Sequence, residues 1–171
     1  MAKLDFAVIG KPVAHSMSPQ IHNFFAAQFD FKNYSYKKIL SSKENLKETV
    51  DDFFRNGGSG LNITVPFKVD AYNLCDTLDE TASQCGSVNT LKNELGKIKG
   101  YNTDGQGFID DLTKKNICIN NSTILILGAG GSAMSIANSL LRESIESKIS
   151  ILNRTISNAD KLVDYFSNNN L

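Results

Sequence analysis

The run Ile124-Leu125-Ile126-Leu127, followed by Gly128-Ala129-Gly130-Gly131-Ser132-Ala133, constrains this chain more than any other stretch. It reads G-x-G-x-x-A between a continuous apolar strand and a helical pattern. The first glycine permits a tight turn, and the second lets the backbone approach a pyrophosphate. A small residue at the third position, here Ala133, lets helix and strand pack closely. The helix start offers free N–H groups and a positive dipole end to phosphates. Alone, such a match is weak. A second strand over 148–152 sets it in a β-α-β unit, so a dinucleotide is the expected ligand and a parallel sheet the expected frame.

The residues after that second strand bear on which dinucleotide. An acidic residue there accepts from a ribose 2′-OH. This chain instead has Asn153-Arg154-Thr155. An arginine cannot accept from a hydroxyl, but it pairs well with a 2′-phosphate. NADP (as NADPH in the reducing direction) is therefore expected over NAD.

Ahead of the turn, strand and helix signals alternate. Phe6–Ile9 reads as a buried strand closed by Gly10. Ser18-Pro19 reads as a helix start with Ser18 as N-cap, and Ile21, Phe24, Phe25 and Phe29 as its apolar face. Further strands are expected over 34–39 and 60–65, with a helix over 43–56 between them and short helices near 67–75 and 79–85. Segments 87–91 and 97–101 read as an antiparallel hairpin around Asn93-Glu94-Leu95-Gly96. A helix over 104–114 leads to a polar stretch, which sets a boundary: domain one over 1–116, domain two over 117–171. After Thr123 there is room for two strands and two helices, the second helix near 158–166. Ser167 to Asn170 is polar and expected to fray. The fold class is α/β: a mostly parallel α/β domain followed by the first β-α-β-α part of a Rossmann-type domain.

Composition adds exclusions. Eighteen basic and eighteen acidic residues cancel, so no nucleic acid or membrane partner is expected. Cys75, Cys85 and Cys118 form no CxxC pair, which suggests neither a disulfide framework nor a metal site. No stretch approaches the ~20 apolar residues of a bilayer span, and a cytoplasmic location is expected.

Three polar segments of the first domain fall at strand ends or helix starts, where open α/β sheets bind ligands. They are His15-Ser16-Met17-Ser18-Pro19, then Asn62-Ile63-Thr64-Val65-Pro66-Phe67-Lys68, then Ser87-Val88-Asn89-Thr90 together with Asn102-Thr103-Asp104-Gly105. Two hydroxyls at a helix start suit an anion, and Asn89 offers both a donor and an acceptor to a hydroxyl. Without further context Ser18 is a helix cap, Lys68 a surface lysine and Asp104 a helix cap.

These motifs, in this order and followed by Gly128–Ala133 and Asn153-Arg154-Thr155, resemble the shikimate dehydrogenase family from Phe6 to Thr155. The resemblance implies NADP-dependent, reversible reduction of 3-dehydroshikimate to shikimate, in chorismate and aromatic amino-acid biosynthesis. It implies that Ser16 and Ser18 bind the substrate carboxylate, that Thr64, Asn89 and Asp104 bind ring hydroxyls, and that Lys68 and Asp104 form the catalytic pair. Reducing a ketone with hydride leaves an alkoxide to protonate, and one positioned group can serve both directions. His15 and His22 are less suited to that role.

The chain departs from the family's pattern at Met17, where lysine is common, and at Asn158, where a second arginine is common. It also stops short of a full dinucleotide domain, so a front portion of a longer enzyme is expected, with an exposed sheet edge open to self-association. Two other readings stay open: a quinate or shikimate dehydrogenase using NAD, and a non-catalytic module that binds a shikimate-like ligand.

Overall fold

A computed structural model describes residues 3–144 and 146–168. Its compact units are 1–79 with 88–101, and 80–87 with 102–171. Residues 80–87 and 102–116, placed in the first domain by the motif boundary, thus group with the second unit.

The first unit is built on a six-stranded sheet. Its strands are β1 (Leu4–Gly10), β2 (Tyr34–Leu40), β3 (Gly60–Ile63), β4 (Thr77–Leu78), β5 (Thr90–Glu94) and β6 (Lys97–Tyr101), in the order β2-β1-β3-β5-β6-β4. The β1–β2, β1–β3 and β4–β6 pairs are parallel, and β3–β5 and β5–β6 are antiparallel. Helices α1 (Ser18–Gln28) and α2 (Leu46–Arg55) supply the crossovers between the first three strands, and the short α3 (Lys68–Tyr72) follows β3. In β1, Ala7, Val8 and Ile9 are all buried. An unbroken apolar run is what a parallel strand covered on both faces requires. Val8 and Ile9 each contribute about 1.5–3 kcal/mol through burial, and Ala7 less.

Several expectations shift locally. β3 ends at Ile63 rather than at Val65, so Thr64 to Phe67 form a loop. The hairpin is present, but it pairs Glu94 with Lys97 across Leu95 and Gly96, both at positive φ. That is the backbone of a two-residue turn matched to strand twist. Ser87 to Asn89 consequently precede the strand instead of opening it. The two-residue β4 has too short a pattern to be read from sequence.

Helix α1 departs further. Met17 takes the N-cap position and Ser18 is the first helical residue. Ile21, Phe24, Phe25 and Phe29 are exposed, while Ala26 is the buried residue of this helix. The four are spaced i, i+3, i+4 and i+8 and so share one face of the helix, and that face is exposed while Ala26 turns inward.

The second unit holds α4 (Glu80–Cys85), α5 (Asp104–Lys114), β7 (Thr123–Leu127), α6 (Gly131–Glu143), β8 (Lys148–Leu152) and α7 (Ile156–Asn168). Strands β7 and β8 pair in parallel, in register from Thr123–Lys148 to Leu127–Leu152. This is the β-α-β-α order expected from the glycine turn. Ala133, Ala137, Leu162 and Phe166 form its core, with Ile126 and Ile151 packed against them. Ser167 and Asn168 close α7, whereas Asn169 and Asn170 of the polar tail lie outside the described residues. Among the described residues no helix is long and apolar enough to cross a membrane, and no cluster of His, Cys, Asp and Glu could hold a metal. The three cysteines are free thiols.

Candidate functional site

In the first unit the candidate residues come from loops that leave β1 and β3. Gly10 ends β1 because a Cβ there would overlap the Thr64 methyl and press on the Val65 carbonyl. That close approach lets Lys11 N–H donate to Val65 O (3.0 Å) and Thr64 N–H donate to Ile9 O (2.9 Å). Thr64 is thereby held beside β1. The next anchor is Phe67, a fully buried side chain. Its neighbour Lys68 opens α3, and Lys68 O accepts from Val88 N–H (2.9 Å). A buried phenylalanine before the lysine and a backbone bond at it fix the lysine's main chain.

The serine loop is organised on itself. Ser16 N–H donates to Val13 O (3.1 Å), and Lys38 Nζ reaches Ala14 O (2.5 Å). Ser16 Oγ donates to Ser18 Oγ (3.1 Å) and accepts from Ser18 N–H (3.3 Å). A second polar row runs through residues that the sequence motifs did not single out. The buried phenol of Tyr36 donates to Asn62 Oδ1 (2.6 Å). Asn62 Nδ2 lies 3.4 Å from Asn89 O and 3.1 Å from Thr90 Oγ1, and Thr90 donates to Asn89 Oδ1 (2.9 Å). Backbone bonds from Asn89 N–H to Tyr101 O (3.0 Å) and from Ile63 N–H to Asn89 O (2.8 Å) fix Asn89 at the strand ends. Ser16 and Ser18 are thus bonded to each other, and Asn89 ends a separate row that begins at Tyr36. Burial pushes the Tyr36 phenol up to about 12, so it stays a neutral donor near neutral pH. His22 stacks on its ring at 4.5 Å. Tyr36 lies two residues from both Tyr34 and Lys38 in β2, an alternation that could have marked a common face.

In the second unit Asp104 opens α5, and its N–H donates to Asn102 Oδ1 (3.0 Å). Asn102 Nδ2 reaches Ser87 O (2.8 Å), Ser87 Oγ (2.9 Å) and Ser135 Oγ (2.8 Å). Ser87 and Ser135 both donate to Gly131 O, at 3.1 and 2.9 Å. This buried knot ties the start of α5 to the first turns of α6. Ser87 and Asn102 were quoted within sequence motifs, but nothing local in the sequence marked Ser135.

The glycine turn fits a pyrophosphate. Gly128 adopts φ +117°, a conformation suited to glycine, and its N–H donates to Leu152 O (2.8 Å). A Cβ at Gly130 would meet nothing within 4 Å, so the turn faces open space. Helix α6 has no side-chain cap and no acidic residue in its first turn. Its N–H groups are directed where a phosphate would bind. Ala133 is buried against the core, as the motif requires. After β8, Asn153 Nδ2 donates to Thr155 O (2.8 Å), shaping the turn, and Arg154 is exposed with no ion pair among the described residues. Gly128 to Ala133 with Asn153, Arg154 and Thr155 could thus hold a dinucleotide bearing a 2′-phosphate.

Comparison with known proteins agrees with this geometry. A family model described as the shikimate dehydrogenase substrate binding domain matches residues 8–91, and one described as shikimate / quinate 5-dehydrogenase matches 111–171. The NADP(+) shikimate dehydrogenase of Janthinobacterium sp. (strain Marseille) is 43% identical over 163 residues, covering 95% of this chain and 59% of that protein. That of Acinetobacter baumannii is 43% identical over 160 residues, covering 94% of this chain and 60% of that protein. The Aquifex aeolicus enzyme superposes with a TM-score of 0.88 at 36% identity, covering 96% of this chain and 61% of the other. The Thermus thermophilus enzyme, solved with NADP(H) and shikimate, superposes with a TM-score of 0.84 at 33% identity and the same coverage. The chain therefore spans about three-fifths of the length of the relatives it matches.

Proposed function

We propose that this chain, which belongs to the shikimate dehydrogenase family, binds shikimate and NADP as part of an enzyme that interconverts shikimate and 3-dehydroshikimate. The observation that carries this reading is the combination of the bonded Ser16 and Ser18 hydroxyls at the start of α1 with Asn89, whose backbone is fixed at the strand ends. It offers hydroxyl groups for a carboxylate and an amide for ring hydroxyls, the two features of this substrate class.

In the proposed roles Ser16 and Ser18 take the carboxylate, while Thr64, Asn89 and Asp104 take ring hydroxyls. Gly128 to Ala133 cradle the pyrophosphate, and Asn153-Arg154-Thr155 receive the 2′-phosphate. The dinucleotide supplies the hydride when bound. Lys68 gives a proton to the carbonyl oxygen as it becomes the alcohol, and takes it back in the oxidising direction. Asp104 orients the lysine and holds the reacting hydroxyl.

The test is an NADP-linked shikimate oxidation assay on this chain and on a longer form of the protein. In whichever form turns over, Lys68→Ala is expected to lower turnover by at least ~10²-fold, the scale of lost acid–base catalysis. Unchanged turnover removes Lys68 from the mechanism. Shikimate binding by calorimetry without turnover in either form favours a binding module. The shikimate / quinate description of the second family match keeps quinate with NAD as a competing pair, which substrate profiling separates.

We also propose that the chain self-associates through β7, whose one partner among the described residues is β8. Sedimentation as a monomer at all concentrations contradicts this.

A further inference from the structure

The buried hydrogen bonds between the starts of α5 and α6 all point one way. Asp104 N–H donates to Asn102 Oδ1 (3.0 Å), and Asn102 Nδ2 lies 2.8 Å from Ser87 O. The first partner only donates and the second only accepts, which settles the orientation of the Asn102 amide. Its Nδ2 also meets Ser87 Oγ (2.9 Å) and Ser135 Oγ (2.8 Å). Both hydroxyl oxygens accept there and are left to donate, and both reach Gly131 O. Were one hydroxyl to turn to the other, 3.0 Å away, the second would still end on Gly131 O. The donors therefore run from Asp104 through Asn102 and the two serines to Gly131. Ser87 and Ser135 are 0% exposed and Asn102 3%, so water does not compete along the run. A Cβ at Gly105 would overlap Ser135 O and Ser139 Oγ, so the backbone of α5 also sits directly on α6.

Gly131 O and Ser132 N–H belong to one planar peptide unit, in the turn proposed to take the pyrophosphate. An anion drawing on that N–H makes the carbonyl oxygen of the same unit a better acceptor. Bonds in a buried chain strengthen one another, so the gain passes through the serines and the Asn102 amide. It arrives as a firmer hold on Asp104 N–H.

We propose that Asn102 is a positioning residue that couples the phosphate turn to Asp104, so that a pyrophosphate bound at the start of α6 fixes the start of α5 for a substrate hydroxyl. The coupling is reciprocal: each ligand tightens the binding of the other. The inference rests on the roles proposed above for Asp104 and for Gly128 to Ala133.

The probe is 2′-phospho-ADP-ribose, which carries the pyrophosphate and lacks the nicotinamide ring, added to this chain. The Asp104 amide proton is followed by NMR, and shikimate affinity is measured by calorimetry with and without the probe. In the parent the resonance is expected to move downfield, and shikimate to bind roughly fivefold more tightly with the probe present, the lower end of typical coupling. Ser87→Ala with Ser135→Ala removes both hydroxyls between Asn102 and Gly131 but keeps the Asp104–Asn102 bond. That variant is expected to bind each ligand and to show neither effect. A merely structural loss would weaken each ligand and leave their mutual effect in place. Asn102→Ala cuts the run one link further on and is expected to abolish both effects too, which keeps the test decisive if the serine variant fails to fold. Ser139→Ala alters the α5–α6 contact outside the run, and both effects are expected to survive it. Persistence of either effect in the serine variant or in Asn102→Ala overturns the inference, as does equal loss in Ser139→Ala. A parent that binds both ligands with either effect missing overturns this inference alone. A parent that fails to hold both overturns the functional reading beneath it.

Discussion

In the six-stranded sheet the central strand β1 is buried continuously from Ala7 to Gly10, whereas in the two-stranded sheet alternate residues of β7 and β8 face solvent. Both strands read as apolar runs. Ile9 of β1 is 0% exposed, yet Leu125, Leu127 and Leu152 are 58%, 74% and 60% exposed. Their neighbours Ile126 and Ile151 turn the other way and pack on the core of α6 and α7. A parallel sheet needs cover on both faces. The first unit provides it for β1, and the second provides it on one face of β7 and β8. The first unit's stability therefore rests on packing of its sheet. The second unit's distinctive residues are those of the glycine turn and the Asn153-Arg154-Thr155 turn, proposed above to hold the dinucleotide.

The largest effect that tests this contrast is a pair of truncations. Ile9→Ala is expected to destabilise the first unit by about 2–5 kcal/mol, the range for large-to-small changes in a close-packed core. Leu127→Ala is expected to change stability by no more than about 0.5 kcal/mol, as for surface positions generally. Denaturant unfolding of both variants checks the pair. Equal losses would show that β7 is as fully covered as β1.

The second test asks whether the second unit has a rigid part of its own. Asn102→Ala would leave the buried Ser87 and Ser135 hydroxyls and the Asp104 N–H short of a partner. Unsatisfied buried groups cost roughly 1–3 kcal/mol. The expected readout is faster amide exchange at the starts of α5 and α6, with β1 unaffected. Faster exchange in β1 as well would mean that the two units do not respond separately.

How far the sequence showed this contrast can be traced to particular residues. The glycine turn was legible because each position has a backbone reason: Gly128 for its φ, Gly130 for open space and Ala133 for packing. The strand–helix alternation was legible because the periods of the two elements differ. The exposure of Leu125 and Leu127 was not legible, because an apolar run states what a strand tolerates and not what covers it. The aromatic residues of α1 failed for the same reason: their spacing marks one apolar face, and it is exposed. Tyr36 and Ser135 were missed because their partners, Asn62 and Asn102, lie 26 and 33 residues away in sequence. Ser16, Ser18 and Asn89 were proposed from motif order, a signal that does not depend on knowing the contacts.

A third test separates ligand contact from packing. Arg154 is exposed and forms no ion pair among the described residues, so Arg154→Ala should leave unfolding unchanged. Affinity for 2′,5′-ADP should fall roughly tenfold while affinity for 5′-AMP stays the same, since a hydrogen bond to a charged group is worth about 1.5–3 kcal/mol at full strength. Calorimetry on the two nucleotides is the measurement. A parallel loss for both would assign Arg154 to the shape of the loop and not to the 2′-phosphate.

The smallest effect concerns how little of the first sheet's stability is electrostatic. At the start of β1 the Lys3 ammonium, and after it the Ser35 hydroxyl, hold the Asp5 carboxyl below its ordinary value near 3.8. The unfolded chain then binds a proton at a higher pH than the folded one does, so in that window stability rises with pH. The contribution is complete above about pH 4 and is lost as the pH falls through the lower folded value. Lys3 is largely exposed, so solvent and salt screen the pair and the effect is small. Asp5→Asn should therefore be slightly less stable than the parent at pH 6, with the gap closing below pH 4 and shrinking in high salt. Denaturation midpoints across that range provide the check. A gap that stays constant with pH would assign the Asp5 contribution to hydrogen-bond geometry in β1 and not to its charge.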